Sequence, residues 1–273
     1  MPGQRLMRLL LINPNISGSV SALIEAEARR SAAPGTRIEV LTARFGVAYI
    51  ETRFEALIGA YATAELAAEH CRECDAVIVA AFGDPGLAGL REVLPVPVTG
   101  LTEAALASVQ LLGGRFSVIA ISHRIQAWYR EVIDAYGFGS RLASIRSLEQ
   151  PLQRIDRVQQ EHAGALQALA ERAVREDGAD AIVLAGAPLA GLARSLQLPV
   201  PVVDGVASAV RHAASLAALR GAPPSGGSFA PPPPKPNQGL SPAIARLLAG
   251  GPVNPHPPAT DSPTPVHQPR SSP

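Results

Sequence analysis

The sequence has almost no excess of either charge. Lys and Arg number 24 against 23 Asp and Glu, for a net charge of +1. No run of five or more basic residues occurs. A phosphate backbone would find no electrostatic footprint, so nucleic acid is not an expected partner. Long apolar runs are missing too. The stretch Leu9–Ile12 is far shorter than a spanning helix, and it lacks the longer apolar core and small-residue cleavage site of a secretory signal. The expectation is a soluble, cytoplasmic protein with no membrane partner.

Cysteine is scarce: Cys71 and Cys74 are the only two, spaced C-x-x-C. A helical pattern from Thr52 to Arg72 ends there and the strand Ala76–Ala80 begins. Both thiols then sit near a helix C-terminus, whose dipole disfavours thiolate, and no second pair completes a zinc site. The six histidines, His70, His123, His162, His212, His256 and His267, show no metal-ligand spacing, so no metal is expected. The chain also lacks G-x-G-x-x-G after its first strand, G-x-x-x-x-G-K-[ST] and G-x-S-x-G. Dinucleotide-binding, phosphate-loop and serine-hydrolase readings fall with those motifs.

What the chain does have is apolar content: 47% hydrophobic and 17% charged over 273 residues, enough to bury a full core. Short apolar runs at Arg8–Ile12, Arg37–Leu41, Ala76–Ala80, Val96–Thr99, Phe116–Ile121, Ala143–Ile145, Ala181–Leu184 and Val200–Val203 read as strands. Helical patterns lie between them at Ser17–Arg30, Thr52–Arg72, Gly86–Val93, Glu103–Leu112, Ile125–Tyr136, Gln153–Glu176, Leu189–Leu196 and Ala207–Arg220. Alternating helices and fully apolar strands define an α/β protein with parallel sheets covered on both faces.

The chain is internally repeated. DAVIVAAFGDPGLAGL…LPVPVTG from Asp75 returns as DAIVLAGAPLAGL…LPVPVVDG from Asp180, and RLLLINPN at the start is echoed by FSVIAISHR, pairing Asn13 with Ser122 and Asn15 with Arg124. Two pseudosymmetric lobes follow, residues 1–97 plus 205–220 and residues 98–204, with a ligand cleft between them at the carboxyl ends of the strands. Residues 221–273 hold most of the 26 prolines and read as a disordered tail, in which Ser241–Leu248 has the length of one or two helical turns.

Four strand-end loops converge on that cleft: Asn13–Ser17, Ala81–Gly86, Ser122–Arg124 and Gly186–Leu189. In the first, Pro14 fixes the turn while Asn15 or Ser17 caps a helix, which leaves an amide for binding. Phe82-Gly83-Asp84-Pro85-Gly86 is a tight turn in which Asp84 serves as a base, a cap for the next helix or an orienting group. Glu51 and Thr52 compete to cap the next helix, Tyr49 is a packed ring or a pocket wall, and His123 is an imidazole, a side chain suited to proton transfer, in a cleft loop.

The INPN turn, VIVAAFGDPGL, VPVTGLTEAAL, RFSVIAIS and IVLAGAPLAGL together resemble the aspartate/glutamate/hydantoin racemase superfamily, most of all its hydantoin and allantoin racemases, over roughly the first 220 residues. The resemblance implies a cofactor-independent enzyme, commonly a homo-oligomer, acting on a small amino acid or cyclic ureide. It also implies one cysteine per lobe on opposite faces of the substrate, one taking the α-proton and the other returning a proton. Here those positions are Ala81 and Gly186, so both thiols are absent. Asp84, Glu51 and His123 are the candidate replacements. Asn13, Asn15, Ser17, Tyr49, Phe82, Gly83, Ser122 and Ala187 are the candidate binding set. A diverged isomerase, lyase or hydrolase and a non-catalytic binder of small anions are the two surviving functions.

Overall fold

A computed structural model describes residues 6–149, 154–219 and 226–249. The apolar runs form two parallel four-stranded sheets. The first contains β1 (Arg8–Asn13), β2 (Arg37–Thr42), β3 (Ala76–Val79) and β4 (Val98–Gly100) in the order β2-β1-β3-β4. The second contains β5 (Phe116–Ala120), β6 (Leu142–Ser147), β7 (Ala181–Leu184) and β8 (Val202–Asp204) in the order β6-β5-β7-β8. The repeat in sequence is thus a repeat in topology. β4, which follows residue 97, pairs with β3 at Val77↔Val98 in the first sheet.

Helices cover both faces of the first sheet. α1 (Gly18–Ser31) starts where Ser17 accepts from the Val20 N–H. α2 (Arg53–His70) starts with a reciprocal capping box between Thr52 and Glu55. α3 (Leu87–Val93) follows Gly86 in the left-handed region. The helices that begin directly after β4 and β8, α4 (Leu101–Gln110) and α8 (Gly205–Leu219), tie the lobes together. Ala105, Leu106 and Val109 of α4 pack into the core of the second lobe. Val206, Ala209, Val210 and Ala213 of α8 pack into the core of the first. Each sheet's last strand therefore sends its helix across the junction.

The second lobe departs from its expected helices. α5 (Gln126–Ala135) lies within the expected span. The long helix expected over 153–176 divides at His162 into α6 (Val158–Glu161) and α7 (Ala163–Asp177). The helix expected over Leu189–Leu196 is instead two separate 3-10 turns, Ala187–Leu189 and Leu192–Arg194. Gly191 between them adopts φ +85°, which aims its N–H at the Asp204 carboxylate, 2.6 Å away. That backbone conformation, which L side chains rarely adopt, suits glycine.

Tail residues 226–249 also depart from expectation. Ser241 caps α9 (Pro242–Leu248), and Ala243 and Ile244 are buried against Ala68 of α2. Tertiary packing stabilises a helix too short to persist alone. Residues 250–273, with His256 and His267, lie outside the described residues, as do Gln153 and Arg220 at the ends of two expected helices. Replacing Ile244 by Asp buries a carboxylate at this contact and is expected to lower unfolding free energy by about 1–3 kcal/mol in a urea titration. An unchanged midpoint would show that the contact does not hold α9.

Candidate functional site

β3 and β7 end beside one another at the lobe junction, and beyond their carboxyl ends lies a cavity of about 40 Å³, room for about three waters. Asn15, Tyr49, Ile50, Glu51, Ala81 and Phe82 line it from the first lobe. Ile121, Ile125, Tyr129, Ile155, Gly186, Ala187 and Pro188 line it from the second. The paired strand ends Ala81 and Gly186 thus share one cavity. Around them the wall is mostly apolar, with a single carboxylate, Glu51.

Local folding frees that carboxylate. Thr52 and Glu55 do the capping of α2: the Thr52 hydroxyl accepts from the Glu55 N–H, and the Glu55 carboxylate accepts from the N–H groups of Glu51 and Thr52. The Glu51 side chain faces the cavity beside the Tyr49 phenol, with which it interacts. Burial first, and the neighbouring Glu51 carboxylate second, push the Tyr49 phenol above its usual range. Tyr129 is almost wholly buried, with its ring 4.7 Å from that of Phe82. Its phenol is also pushed up, by burial first and then by the Asp84 and Glu51 carboxylates, so it stays protonated at neutral pH.

The two asparagines of the INPN turn have different jobs. Asn13 is fully buried, and its Nδ2 donates to Asn15 Oδ1 at 3.1 Å, Ser17 O at 3.2 Å and Ser21 Oγ at 3.0 Å. Asn13 braces the turn and is not in the cavity wall. Asn15 Oδ1 accepts from Asn13 and from the Ser17 N–H, while Asn15 Nδ2 has no partner among the described residues. That amide orientation follows from the hydrogen-bond network. It leaves one amide donor in the cavity wall.

Asp84 lies outside the cavity wall. It is the one non-glycine residue with positive φ among the described residues, +48°, and its fully buried carboxylate caps α4. Oδ1 accepts from the Thr102 N–H at 2.8 Å, and Oδ2 accepts from the Glu103 N–H and the Tyr136 hydroxyl at 2.9 Å each. Gly100 makes room: a β-carbon there would lie 2.2 Å from the Asp84 carboxyl carbon. Gly83 is equally confined, since a β-carbon would meet the Trp128 ring at 2.5 Å. Asp204, which sequence reasoning missed, is the second lobe's counterpart, accepting from the N–H groups of Gly191, Val206 and Ala207.

The remaining candidates stand apart. Ser17 caps α1, Ser122 accepts from the Arg124 N–H, and His123 and Arg124 are exposed, none of them in the cavity wall. The expected pairing of Asn15 with Arg124 therefore ends in different surroundings. Cys71 and Cys74 are buried free thiols, with burial pushing Cys74 up to about 12. Among the described residues no cluster of His, Cys, Asp or Glu is suited to a metal ion, and no helix is long and apolar enough to cross a membrane. Sequence patterning also missed Ile50, Ile121, Ile125, Tyr129, Ile155 and Pro188. Apolar and aromatic residues at helical spacing read as core, and only the folded junction turns them toward a cavity.

Repeated sheets, crossing helices and a cavity at paired strand ends define a two-lobed α/β protein of the racemase type. The chain belongs to the Asp/Glu/hydantoin racemase family, whose model matches residues 9–213. It is 36% identical over 219 residues to the hydantoin racemase of Paenarthrobacter aurescens, covering 78% of this chain and 92% of that one. An allantoin racemase structure from Klebsiella pneumoniae superposes with a TM-score of 0.83 at 34% identity, covering 87% of this chain and 98% of that one. The allantoin racemase of Pseudomonas fluorescens gives 0.79 at 35% identity, covering 85% and 100%.

Asp84 has a measurable pH signature. Burial dominates and raises its carboxyl from 3.8 to about 6 despite three hydrogen bonds. The folded state therefore binds the proton more tightly than the unfolded chain. Stability from this group is fully present below pH 4, declines as pH rises toward 6, and is flat above, a change on the order of 3 kcal/mol. Asp204, raised by burial in the same direction, adds to the slope. Urea unfolding at pH 4, 5, 6 and 7 should show the decline, and Asp84→Asn should flatten most of it. A wild-type profile that rises over this range would refute the assignment.

Proposed function

We propose that the protein is a cofactor-independent member of its family that binds a small cyclic ureide or amino acid between pseudosymmetric lobes and moves a proton through Glu51. The reading rests on one observation: the positions where the resemblance expects two thiols are Ala81 and Gly186, and Glu51 is the one carboxylate in the wall they share. Inversion at a carbon needs an acid and a base on opposite faces. A single carboxylate takes the α-proton and returns it to the same face. Asn15 Nδ2 and the Tyr129 hydroxyl, neither with a partner among the described residues, supply donors for the substrate's carbonyl oxygens as negative charge develops there. The reading includes a soluble cytoplasmic setting without nucleic-acid or membrane partners.

The test is α-proton exchange of hydantoins, allantoin, aspartate and glutamate in deuterated water, followed by NMR. We expect deuterium incorporation with at least one of these, and Glu51→Gln should slow it by about 10²–10⁴-fold while ligand-induced thermal stabilisation persists. Exchange untouched by Glu51→Gln would rule Glu51 out. Stabilisation without exchange would instead favour a non-catalytic binder.

Restoring thiols has unequal costs. Ala81→Cys lies on the wall and should leave stability within about 1 kcal/mol. Gly186→Cys has space, its nearest new contact being Pro188 at 3.6 Å, yet its φ of +115° disfavours any side chain. We expect it to lower unfolding free energy by about 1–3 kcal/mol. Equal unfolding midpoints for the two variants would show that residue 186 relaxes freely.

A further inference from the structure

A groove of about 520 Å³ opens between α4 and α8, the two helices that cross the lobe junction. Its volume is within the roughly 300–1,000 Å³ of small-molecule sites, and it shares no lining residue with the cavity around Ala81 and Gly186. The acids in its wall are spent. Asp204 accepts from the N–H groups of Gly191, Val206 and Ala207, and Glu27, 1% exposed, is paired with Arg30 and Arg194. Two donors in the wall are not spent. Ser208 is 6% exposed, and its hydroxyl has no partner among the described residues. Arg211, one turn further along the same face of α8, folds its guanidinium back so that Nη1 donates to the Ala207 carbonyl at 3.1 Å, and it forms no ion pair among the described residues. The groove is also braced. His212 Nε2 lies 3.0 Å from Ser108 Oγ, a hydroxyl that donates to the Ala104 carbonyl at 2.9 Å, which ties α8 to α4. Leu111 and Leu112, just after α4, give the groove an open apolar side.

We infer that this groove is a second binding site, for a small organic monocarboxylate that carries an apolar substituent. The carboxylate meets the Arg211 guanidinium and the Ser208 hydroxyl, a charged and a neutral donor on one helix face. A buried hydroxyl without a partner is costly, and a ligand oxygen relieves that cost. The substituent lies over Leu111 and Leu112 and removes their exposed apolar surface from water. One unpaired cation suits a single negative charge, whereas a phosphate dianion would keep an uncompensated charge in a wall that already holds the Glu27 and Asp204 carboxylates. The ligand touches both crossing helices, so occupancy stabilises the junction without entering the strand-end cavity.

Isothermal titration calorimetry of the full chain with benzoate and with hexanoate tests the inference. Saturable binding with a Kd of about 0.1–1 mM is expected. Benzamide, neutral with the same ring, should bind at least about tenfold more weakly than benzoate. Arg211→Gln should weaken benzoate at least about tenfold, and because Arg211 is exposed the unliganded melting temperature should stay within a few degrees of the parent's. Leu112→Glu, on the half-exposed rim, should also weaken benzoate by setting a like charge beside it. Glu51→Gln should leave benzoate affinity unchanged, which keeps this outcome separate from that of the Glu51 reading. Heats of dilution alone, or benzamide binding as tightly as benzoate, would overturn the inference. So would an affinity that Arg211→Gln leaves intact and Glu51→Gln alters, which would put the ligand in the strand-end cavity.

Discussion

The structure depends on a buried carboxylate at the start of each helix that crosses between the lobes. Asp84 reaches from the loop after β3 to the first N–H groups of α4. Asp204, at the end of β8, caps α8 and also holds the Gly191 N–H. Each satisfies orphan donors that would otherwise be buried unpaired, at a cost of about 1–3 kcal/mol apiece. Each also fixes a loop that borders the cavity, so the same atoms position Ala81–Gly83 and Gly186–Gly191. The Tyr136 hydroxyl brings the second lobe to Asp84, and Glu27 brings the first lobe to Arg194 through two hydrogen bonds. The lobes are bonded across the junction on both sides.

That frame explains how the fold accommodates a junction without thiols at residues 81 and 186. Nothing in the scaffold requires a thiol at residue 81 or 186: Ala81 is a small wall residue, and Gly186 adopts a backbone conformation that glycine alone tolerates well. What the centre retains is an amide, two phenols and one carboxylate. Both phenols are raised by burial and stay protonated, which divides the roles into donors and a single acceptor.

Much of this was legible in the sequence because it follows from periodicity. Apolar runs such as LLLI at Leu9–Ile12 and the duplicated LPVPV segments locate strands, and the repeat brings Ala81 and Gly186 together. Legibility fails where tertiary partners decide. Asp84 in a Gly-rich strand-end loop reads equally as cap or base until α4 is seen to begin beside it. Asn13 and Asn15 are indistinguishable until the network shows which amide is spent. Tyr129 follows Trp128 on a helix and looks like core, and α9 looks too short to fold until α2 offers Ala68. The 3-10 turns around Gly191 replace a helix because Asp204, thirteen residues later, claims its N–H.

The central claim is that one-sided proton transfer has replaced inversion at this junction, and optical rotation tests it most directly. An enantiopure 5-substituted hydantoin incubated with the full chain should keep its rotation, apart from the spontaneous decay measured without protein. An enzyme-dependent loss of rotation would contradict the account and require a second proton-transfer group opposite Glu51.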